Sequence, residues 1–553
     1  MLAQAPWRRA NLTAKPAMCP DSPSSSLSPI APRSTASEAS TLVSPHERAL
    51  PLVTVAGLRE LERNAAAALP PNTLMSRAGH AAAQFLLDES AHDGSIDARH
   101  PVWLAAGPGN NGGDALVVAT VLRRAGVPVE VCMPVEVKPD DARWALAEAR
   151  AAGVPIQTEA PATFDGYGWL VDGLFGIGLA RPLEGVFATL AGRLSEHARK
   201  HGRVLALDVP SGLDSDTGNV VDGGAAVRAT HTVTFIAAKP GLFTAMGRDL
   251  AGDVRVAPLG IDSSAHDRVQ LNAPALFAPH LPPRDFSTHK GTFGSLAVIG
   301  GDTGMCGAPI LAARAALFIG AGKVHVAFIG AGAPPYDAPH PELMLHAADE
   351  FALDTMDALA IGCGMGHRDT AKAVLRTALA LDVPKLVDAD ALNLIANDPA
   401  LAALVTARGQ QGDPCVLTPH PLEAARLAGS DAKTVQRDRL EAARALADKF
   451  ASVVVLKGTG TVIASPDGRF AINPTGNAGL ATGGTGDVLG GLIGALLAQR
   501  LPRYEAALAG VYLHGLAADT LSAQGDGPAG LTAGELAPMV RTLLNRSFYK
   551  ARA

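Results

Sequence analysis

Short apolar segments alternate with longer helix-like stretches along the chain from about residue 50 onward. The first series of apolar segments reads VWLAA, VPVEVCM, GWLVDG, RVLALDV and THTVTFIA. A second series, from about residue 293, reads GSLAVIGG, KVHVAFIG, DALAIGCG, PKLVDAD, PCVLTP and SVVVLKG. Apolar strands that alternate with helices are typical of a parallel sheet covered on both faces. The pattern therefore predicts an α/β protein with two such sheets.

The length of the chain and a break between the two series predict two domains in tandem. A chain of 553 residues is too long for one hydrophobic core, and the Pro-rich stretch APALFAPHLPPRDFSTHKG separates the series. We place the boundary between residues 274 and 275, which gives domains 49–274 and 275–553. Residues 1–48 are rich in Ser and Pro without apolar periodicity, which predicts a disordered extension.

Composition excludes several classes of partner. A net charge of −6 argues against a nucleic-acid-binding surface, which needs a basic excess. The apolar segment LGGLIGALLAQ is short and follows Asp487, so it cannot span a bilayer. The five cysteines show neither metal-site nor disulfide-framework spacing. We therefore expect a cytoplasmic protein without a nucleic-acid or membrane partner.

The strongest chemical signal is a glycine-rich loop, NAGLATGGTGDVLGGLIGALLA, at residues 477–498. Its glycines precede a long apolar stretch, which predicts a helix. The unpaired backbone N–H groups at the N-terminus of that helix should converge and favour anions. Asp487 lies in that first turn, where a carboxylate can remove a proton from an attacking hydroxyl. An acidic residue there can equally just stabilise the helix start, and this alternative stays open.

Two neighbouring segments favour a phosphate site. VVVLKGTGTVI, residues 453–463, predicts a strand, a Lys-Gly turn and a second strand, which would present Lys457 and backbone amides to phosphate. TPHPLEAARL holds His420 between two prolines, so that the histidine leaves its strand at a defined angle. This arrangement suits core filling poorly, and we interpret His420 as functional rather than structural.

Polar side chains in the first half follow strand ends. GPGNNGGDA offers Asn110 and Asn111, with Asp172 at the end of WLVDG and Ser211 in DVPSG. Oxygen donors of this kind suit a hard cation, although the asparagines alone could simply provide turn geometry. Asp208 follows the apolar VLAL, at the strand end where open α/β sheets bind ligands, so it is a candidate general acid/base or a solvated strand end.

A second glycine-rich loop, FGIGLARP at residues 175–182, is predicted to wrap substrate phosphates, with Arg181 available to pair with them. A redox-cofactor site would also need an acid at the end of the next strand, to bind the ribose. The stretch EVCMPVEV carries Glu130 inside its strand instead. We therefore interpret the nucleotide as the substrate rather than a cofactor.

Five segments in order, HKGTFGSLAVIGG, DADALN, TPHPLEAARL, KGTGT and GGTGDVLGG, resemble the ribokinase-like ADP-dependent NAD(P)H-hydrate dehydratases over roughly residues 285–545. GPGNNGGDA, LVDGLFGIGLARPLEG and LALDVPSGLDSDTG resemble the NAD(P)H-hydrate epimerase domain. LMSRAGHAAAQFL also fits, with Ser76 where family members often carry an acid. The resemblance implies two tandem three-layer αβα domains, Rossmann-like and then ribokinase-like.

The resemblance further implies repair of NADH or NADPH whose nicotinamide ring has gained water. The first domain would interconvert the R and S hydrates. The second would use ADP, with Mg²⁺, to phosphorylate the S form and eliminate phosphate, giving NAD(P)H, AMP and phosphate. We expect small-molecule substrates only, and a homo-oligomer. The segments AAKPGL and SDTG are interpreted as architectural.

Site residues carry over from the resemblance at matching positions. Asp487 and Asp208 are the expected catalytic residues. Potassium in the first domain is expected on Asn111, Asp172 and Ser211. Epimerase substrate contacts are expected from Asn110, Asn111, Gly112, Gly113, Asp114, Gly176, Ile177, Gly178, Leu179, Ala180, Arg181, Pro182 and Asp208. Dehydratase substrate contacts are expected from Ala308, Gly366, His420 and Asp487. Contacts to ADP are expected from Lys457, Gly458, Thr459, Gly460, Thr461 and Gly486.

A rival hypothesis makes the second domain a ribokinase-type small-molecule kinase, since such kinases share the GTGD loop. The first domain would then be a non-catalytic ligand-binding domain. The residues alone distinguish neither ADP from ATP nor NADH hydrate from NADPH hydrate.

Overall fold

The structure is a computed structural model that describes residues 42–44, 49–200 and 202–549. Most of the predicted disordered extension, residues 1–48, lies outside the described residues. Residues 42–44 are the exception, because Val43 is buried and forms an antiparallel bridge with Val256, with N–O distances of 2.9 and 3.0 Å. This part of the extension therefore packs on the first domain, contrary to the sequence-based expectation.

The first domain contains a seven-stranded parallel sheet with the order β3-β2-β1-β4-β5-β6-β7. Its strands are β1 (Val102–Ala106), β2 (Val129–Cys132), β3 (Ile156–Gln157), β4 (Trp169–Gly173), β5 (Val204–Leu207), β6 (His231–Phe235) and β7 (Asp253–Ala257). Its helices are α1 (Val55–Ala68), α2 (Thr73–Asp93), α3 (Asn110–Arg124), α4 (Asp140–Ala151), α5 (Gly185–Arg199) and α6 (Gly247–Leu250).

Side chains of the first sheet alternate between two apolar cores, because successive residues of a strand point to opposite faces. On β1, Val102 and Leu104 pack with residues of α1 to α4, while Trp103 packs with residues of α5. The domain therefore has three layers, as predicted.

The second domain contains a ten-stranded sheet with the order β11-β10-β9-β12-β13-β14-β15-β16-β17-β8. Its strands are β8 (Val269–Leu271), β9 (Ser295–Gly300), β10 (Lys323–Phe328), β11 (Met344–Ala347), β12 (Ala358–Ile361), β13 (Lys385–Val387), β14 (Val416–Leu417), β15 (Val453–Leu456), β16 (Val462–Ala464) and β17 (Phe470–Ile472). Only β16 pairs antiparallel with its neighbours in this described sheet.

Helices cover both faces of the second sheet. They are α7 (Gly307–Phe318), α8 (Asp369–Ala380), α9 (Ala389–Asn397), α10 (Pro399–Gln410), α11 (Pro421–Ala428), α12 (Ala432–Arg437), α13 (Arg439–Phe450), α14 (Thr485–Ala498), α15 (Arg503–Gln524) and α16 (Ala533–Phe548). Leu296 and Val298 of β9 pack with α7 and α14 to α16, whereas Ala297 and Ile299 pack with the helices of the other face. The predicted α/β class with two three-layer domains is confirmed.

The apolar segments predicted as strands each contain one, but the domain boundary differs from the expected one. Strand β8 lies before residue 274 and yet belongs to the second sheet, where Val269 pairs with Phe470 and Leu271 with Ile472. The segment VQL is too short, and the turn signals around it are too weak, for the sequence to show which sheet it joins. Within the described residues, no helix combines the length and apolarity needed to cross a membrane.

Candidate active sites

A cavity of about 360 Å³ lies at the carboxyl ends of β1, β4 and β5 in the first domain. This is the edge where open parallel sheets bind ligands. Its lining residues are Leu58, Arg59, Glu62, Gly109, Asn110, Asn111, Asp114, Leu174, Phe175, Gly176, Ile177, Gly178, Leu179, Asp208, Phe235 and Lys239. The predicted asparagine loop, the start of the second glycine-rich loop and Asp208 are thus brought together.

The segment NNGGD forms the first turn of α3 rather than a loop. A Cβ at Gly112 would lie 1.9 Å from the Gly107 carbonyl oxygen, and one at Gly113 would lie 2.6 Å from Met75 Cε. Close packing therefore requires glycine at both positions. Neither glycine lines the cavity, although both were predicted to contact substrate.

Asp208 is held in an ion pair that the sequence reasoning missed. Lys239 is only 1% exposed, and its Nζ donates to Asp208 Oδ1 at 2.5 Å and to the Phe235 carbonyl oxygen at 2.7 Å. Asp208 itself has a φ of +67°, a left-handed conformation that non-glycine residues rarely adopt and that concentrates at functional sites. The segment AAKPGL, interpreted as architectural, therefore supplies a charged residue of this cavity.

Two further acids of the cavity hold their protons more tightly than usual. Burial, followed by the negative charge of Asp208, raises the pKa of Asp114 well above its ordinary value. Desolvation and the same charge raise the pKa of Glu62 on α1. Arg59 and Glu62 belong to a helix for which the sequence showed no chemical signal. The cavity thus combines an ion pair with carboxyl groups that can donate protons.

Of the three residues expected to hold potassium, Asn111 lines this cavity, whereas Asp172 and Ser211 do not. Asp172 is fully buried and accepts from Ser211 Oγ at 2.7 Å and Ser211 N at 2.8 Å. Burial raises the pKa of Asp172 to about 6. Asn111 is buried, and neither its Oδ1 nor its Nδ2 has a hydrogen-bond partner among the described residues. Buried polar atoms are nearly always satisfied, so the orphaned amide fits a site whose ligand is an ion or substrate.

Three predicted contacts lie further along the second glycine-rich loop. Ala180, Arg181 and Pro182 follow the lining residues but are not part of the cavity wall, and Arg181 is exposed. Their contact with substrate stays a prediction.

A larger cavity, of about 790 Å³, lies in the second domain beside the start of α14. All the predicted ADP-binding positions line it, namely Lys457, Gly458, Thr459, Gly460, Thr461 and Gly486. His420 also lines it. The remaining wall comes from residues 473–481, from α14 and α15, and from Arg248 and Asp249 of the first domain.

Asp487 lies half-buried in the first turn of α14, as predicted. Burial, followed by the negative charge of Asp388, raises its pKa to about 6. The buried Cys363 thiol lies close enough to this carboxyl group to lower its pKa. A raised pKa of this kind is typical of a general base, and the catalytic role of Asp487, which does not itself line the larger cavity, stays a prediction.

Lys457 lies next to the phosphate loop in a cluster of buried charges. Its Nζ is 2.7 Å from Asp388 Oδ1 and 3.9 Å from Glu423 Oε2. Burial lowers the pKa of Lys457, but the two carboxylates outweigh this and the net shift is upward. A Cβ at Gly486 would lie 3.7 Å from Nζ, which places the ammonium group beside the start of α14. The sequence reasoning did not assign roles to Asp388 and Glu423.

His420 has both a structural and a cavity-facing role. It is the N-cap of α11, where its Nδ1 accepts from the backbone N–H of Leu422 at 3.1 Å and of Glu423 at 3.3 Å. Pro421 at the first helical position favours this start. Since Nδ1 accepts, the proton of the neutral ring lies on Nε2. Burial lowers the pKa of His420, which favours that neutral form.

A second histidine was missed by the sequence reasoning. His514 on α15 lines the larger cavity and its Nε2 donates to the Thr485 carbonyl oxygen at 3.0 Å. Burial lowers the pKa of His514 to about 4, so the ring is neutral at physiological pH. This bond holds the first residue of α14 in place.

Ala308 and Gly366, predicted to contact the hydrate, do not line the larger cavity. The Gly366 N–H donates to Asp390 Oδ2 at 2.9 Å, and the charge of Asp390 is one cause of the raised Asp487 pKa. Ala308 lies on α7, which packs against α14. Both residues are therefore near the Asp487 end of the site, and their contact with substrate stays a prediction.

Comparisons with known proteins agree with the two-site architecture. A family model described as NAD(P)H-hydrate dehydratase matches residues 296–538, and one described as YjeF-related protein N-terminus matches residues 71–241. The bifunctional NAD(P)H-hydrate repair enzyme of Coxiella burnetii is 40% identical over 507 residues, which cover 88% of this chain and 98% of that protein. The Escherichia coli enzyme of the same description is 39% identical, covering 85% of this chain and 89% of its own length.

Two further relatives each match about half of this chain. The ADP-dependent (S)-NAD(P)H-hydrate dehydratase of Neisseria meningitidis is 48% identical, covering 51% of this chain and 96% of that protein. A crystal structure of the ADP/ATP-dependent NAD(P)H-hydrate dehydratase from Bacillus subtilis, co-crystallized with ATP/Mg²⁺, is 32% identical with a TM-score of 0.44, covering 50% of this chain and 98% of that one. Since relatives of about 40% identity are matched over nearly their whole length, the chain belongs to the family of bifunctional NAD(P)H-hydrate repair enzymes.

Proposed function

We propose that this protein repairs hydrated NADH and NADPH, with an R/S epimerase in the first domain and an ADP-dependent dehydratase in the second. The observation that carries the proposal is the position of Asp487, whose pKa is raised to about 6, in the first turn of α14 next to the cavity that Lys457 lines. The full-length similarity to bifunctional relatives favours this function over a kinase with a non-catalytic first domain.

In the second domain, Asp487 takes the proton from the hydroxyl group of the S hydrate. The hydroxyl oxygen attacks the β-phosphorus of ADP, and AMP leaves. Backbone N–H groups at the start of α14 and the Lys457 ammonium stabilise the charge on the transferred phosphoryl group. Phosphate is a far better leaving group than hydroxide, so its departure, with loss of a proton from the adjacent ring carbon, restores the nicotinamide double bond.

Mg²⁺ usually binds one or two carboxylates together with substrate phosphates. Asp388 and Glu423 are buried, face the Lys457 ammonium and do not line the larger cavity, so they do not form a carboxylate site for the ion. Mg²⁺ would therefore be held chiefly by the ADP phosphates. When bound, Mg²⁺ neutralises phosphate charge.

In the first domain, the Asp208–Lys239 pair and Asp114 move protons to and from the hydrate. Inversion at the hydrated carbon requires its C–O bond to break and to form again on the opposite face. The departing hydroxyl group takes a proton and leaves as water, and the water that adds back gives a proton up. Asp114, whose pKa is raised mainly by burial, is assigned as the donor, and Asp208 as the acceptor. The start of the second glycine-rich loop, from Gly176 to Leu179, encloses the substrate.

Potassium fits the orphaned Asn111 amide and the oxygens of Asp172 and Ser211. When bound, it supplies positive charge near the substrate phosphates. We expect Asn111→Ala to slow R/S equilibration about tenfold, because one oxygen donor of the ion is lost. A potassium-dependent rise in the melting temperature of the parent protein should be absent from Asn111→Ala. Equal melting temperatures of the parent protein in potassium and in choline salts would contradict the site, while dehydration of the S hydrate serves as the internal control.

Dehydration should depend on pH through Asp487. The general base acts only when ionised, so kcat/KM should fall as pH drops through about 6, the pKa that burial and Asp388 give to this carboxyl group. Asp388→Asn removes a negative charge that raises this pKa. The activity of that variant should therefore begin to fall at a lower pH than the activity of the parent protein. A rate profile of S-hydrate dehydration between pH 5 and 8 measures both effects. A profile that is flat through pH 6 in the parent protein would contradict this role.

One assay tests the proposed function directly. The full chain is incubated with purified S hydrate of NADH, ADP and Mg²⁺, and recovery of the NADH absorbance is followed. The R hydrate alone should also be consumed, because epimerisation supplies the S form. A kinase for another alcohol would leave both hydrates unchanged.

We further propose a cytoplasmic setting, which is supported by the free thiols of the four described cysteines. The homo-oligomer expected from the sequence stays a prediction.

A further inference from the structure

A segment of the first domain, residues 243–249, lies against the ADP-binding turn of the second domain. Thr244 Oγ1 donates to the carbonyl oxygens of Thr459 and Gly460, both at 3.2 Å, and the Ala245 N–H donates to the Thr459 oxygen at 3.2 Å. Gly460 has a φ of +63°, and a Cβ there would lie 2.0 Å from the Phe243 carbonyl oxygen. No side chain fits between this turn and the first domain, so the two are in direct backbone contact.

Arg439 of the second domain strengthens the same contact. This side chain is only 2% exposed, and its Nε donates to Thr244 Oγ1 at 3.2 Å. One of its terminal nitrogens donates to the carbonyl oxygens of Leu456 at 3.1 Å and Lys457 at 3.3 Å. The backbone of the lysine that faces the phosphates is therefore connected to the first domain through one buried guanidinium group.

Arg248 reaches the opposite side of the larger cavity. It lines the cavity, and its guanidinium group donates to the carbonyl oxygens of Asn473 at 3.5 Å, Thr475 at 3.4 Å and Gly476 at 3.1 Å. The Gly476 N–H is in turn held by Asp519 Oδ2 at 2.7 Å. The loop of residues 473–476 is thus held by the first domain through three hydrogen bonds from Arg248, and by the second domain through Thr461, Tyr512 and Asp519.

We propose that Arg248 is a positioning residue for the dehydratase, so that the first domain determines how tightly the second domain binds ADP. The inference rests on the proposed ADP dependence. Residues 243–245 hold one wall of the nucleotide cavity and Arg248 holds another, although both belong to the epimerase domain by sequence. If the contact between the domains strengthens ADP binding, then ADP binding must strengthen that contact by the same free energy.

The test compares Arg248→Ala and Arg248→Lys with Arg255→Ala in the full chain. Arg255 is the matched control, because it belongs to β7, pairs with Asp253 and does not line the larger cavity. Arg248→Ala should raise the Kd and KM for ADP about tenfold, with kcat and R/S equilibration within about twofold of the parent values. Arg248→Lys should have an intermediate ADP affinity, since an ammonium group lacks the planar guanidinium that donates to several carbonyl oxygens at once. Arg255→Ala should bind ADP like the parent.

Hydrogen exchange of residues 243–250 gives a second readout. Protection of this segment should rise when ADP is added to the parent protein, and the rise should be smaller in Arg248→Ala. Parent-like ADP affinity in Arg248→Ala would overturn the inference. So would a parallel loss of ADP affinity, kcat, epimerisation and melting temperature, which indicates a general structural defect. A parent protein that does not bind ADP in calorimetry would instead overturn the proposed function, and this inference with it.

Discussion

Replacing Asp487 with asparagine should lower the rate of ADP-dependent dehydration by about 10³-fold, within the range typical of a lost general base. The amide has nearly the shape of the carboxyl group, so packing in the first turn of α14 is preserved. The amide cannot accept the hydroxyl proton, however. The surroundings that raise the Asp487 pKa to about 6 are unchanged, but the general base on which they act is lost. ADP affinity should change far less than kcat, because Lys457 and the glycine-rich turn remain.

Recovery of NADH from purified S hydrate measures this effect, with ADP binding followed separately by calorimetry. Asp526→Asn is the matched control, because Asp526 is exposed, follows the C-terminal end of α15 and does not line the larger cavity. Interconversion of R and S hydrates by the same Asp487→Asn protein shows that the first domain is intact. If that variant regenerates NADH at the parent rate, Asp487 is not the base and the second domain needs another function.

Replacing Asp208 with asparagine should slow R/S equilibration by about 10²-fold or more while S-hydrate dehydration continues at the parent rate. The variant loses the proton acceptor of the smaller cavity. It also leaves the Lys239 ammonium buried without its carboxylate partner, and breaking a buried pair in this way typically costs about 3–5 kcal/mol of stability.

A double variant, Asp208→Asn with Lys239→Met, separates chemistry from stability. It removes both charges, so the melting temperature should recover while epimerisation stays slow. Asp222→Asn is the matched control, since Asp222 is exposed and does not line the cavity. Equilibration at the parent rate in Asp208→Asn would favour a non-catalytic first domain, as in the rival hypothesis.

Local patterns were sufficient for twelve of the strands and for the main loops of both sites, whereas β3, β7, β8, β11 and β17 were not predicted. The segment VWLAA is β1 with the predicted ends, and GGTGD opens α14 with Asp487 in its first turn. These features depend on neighbouring residues only: apolar runs, glycines and helix-start chemistry are all visible within about ten positions of the chain. The glycines of NNGGD show the limit of such reasoning, because their packing against Gly107 and Met75 is not visible in the sequence, while their contact with substrate stays a prediction.

The α/β class, the two sheets, the family resemblance and part of the lining of both cavities followed from the sequence. The pairing of Lys239 with Asp208 and of Lys457 with Asp388, and the contact of Arg248 with the loop at Gly476, are seen only in the folded chain. Arg248 and Gly476 are 228 positions apart, and β8 joins a sheet whose other strands come later in the chain. Periodicity and motif spacing describe neighbours along the backbone, whereas these contacts depend on how packed layers bring distant residues together.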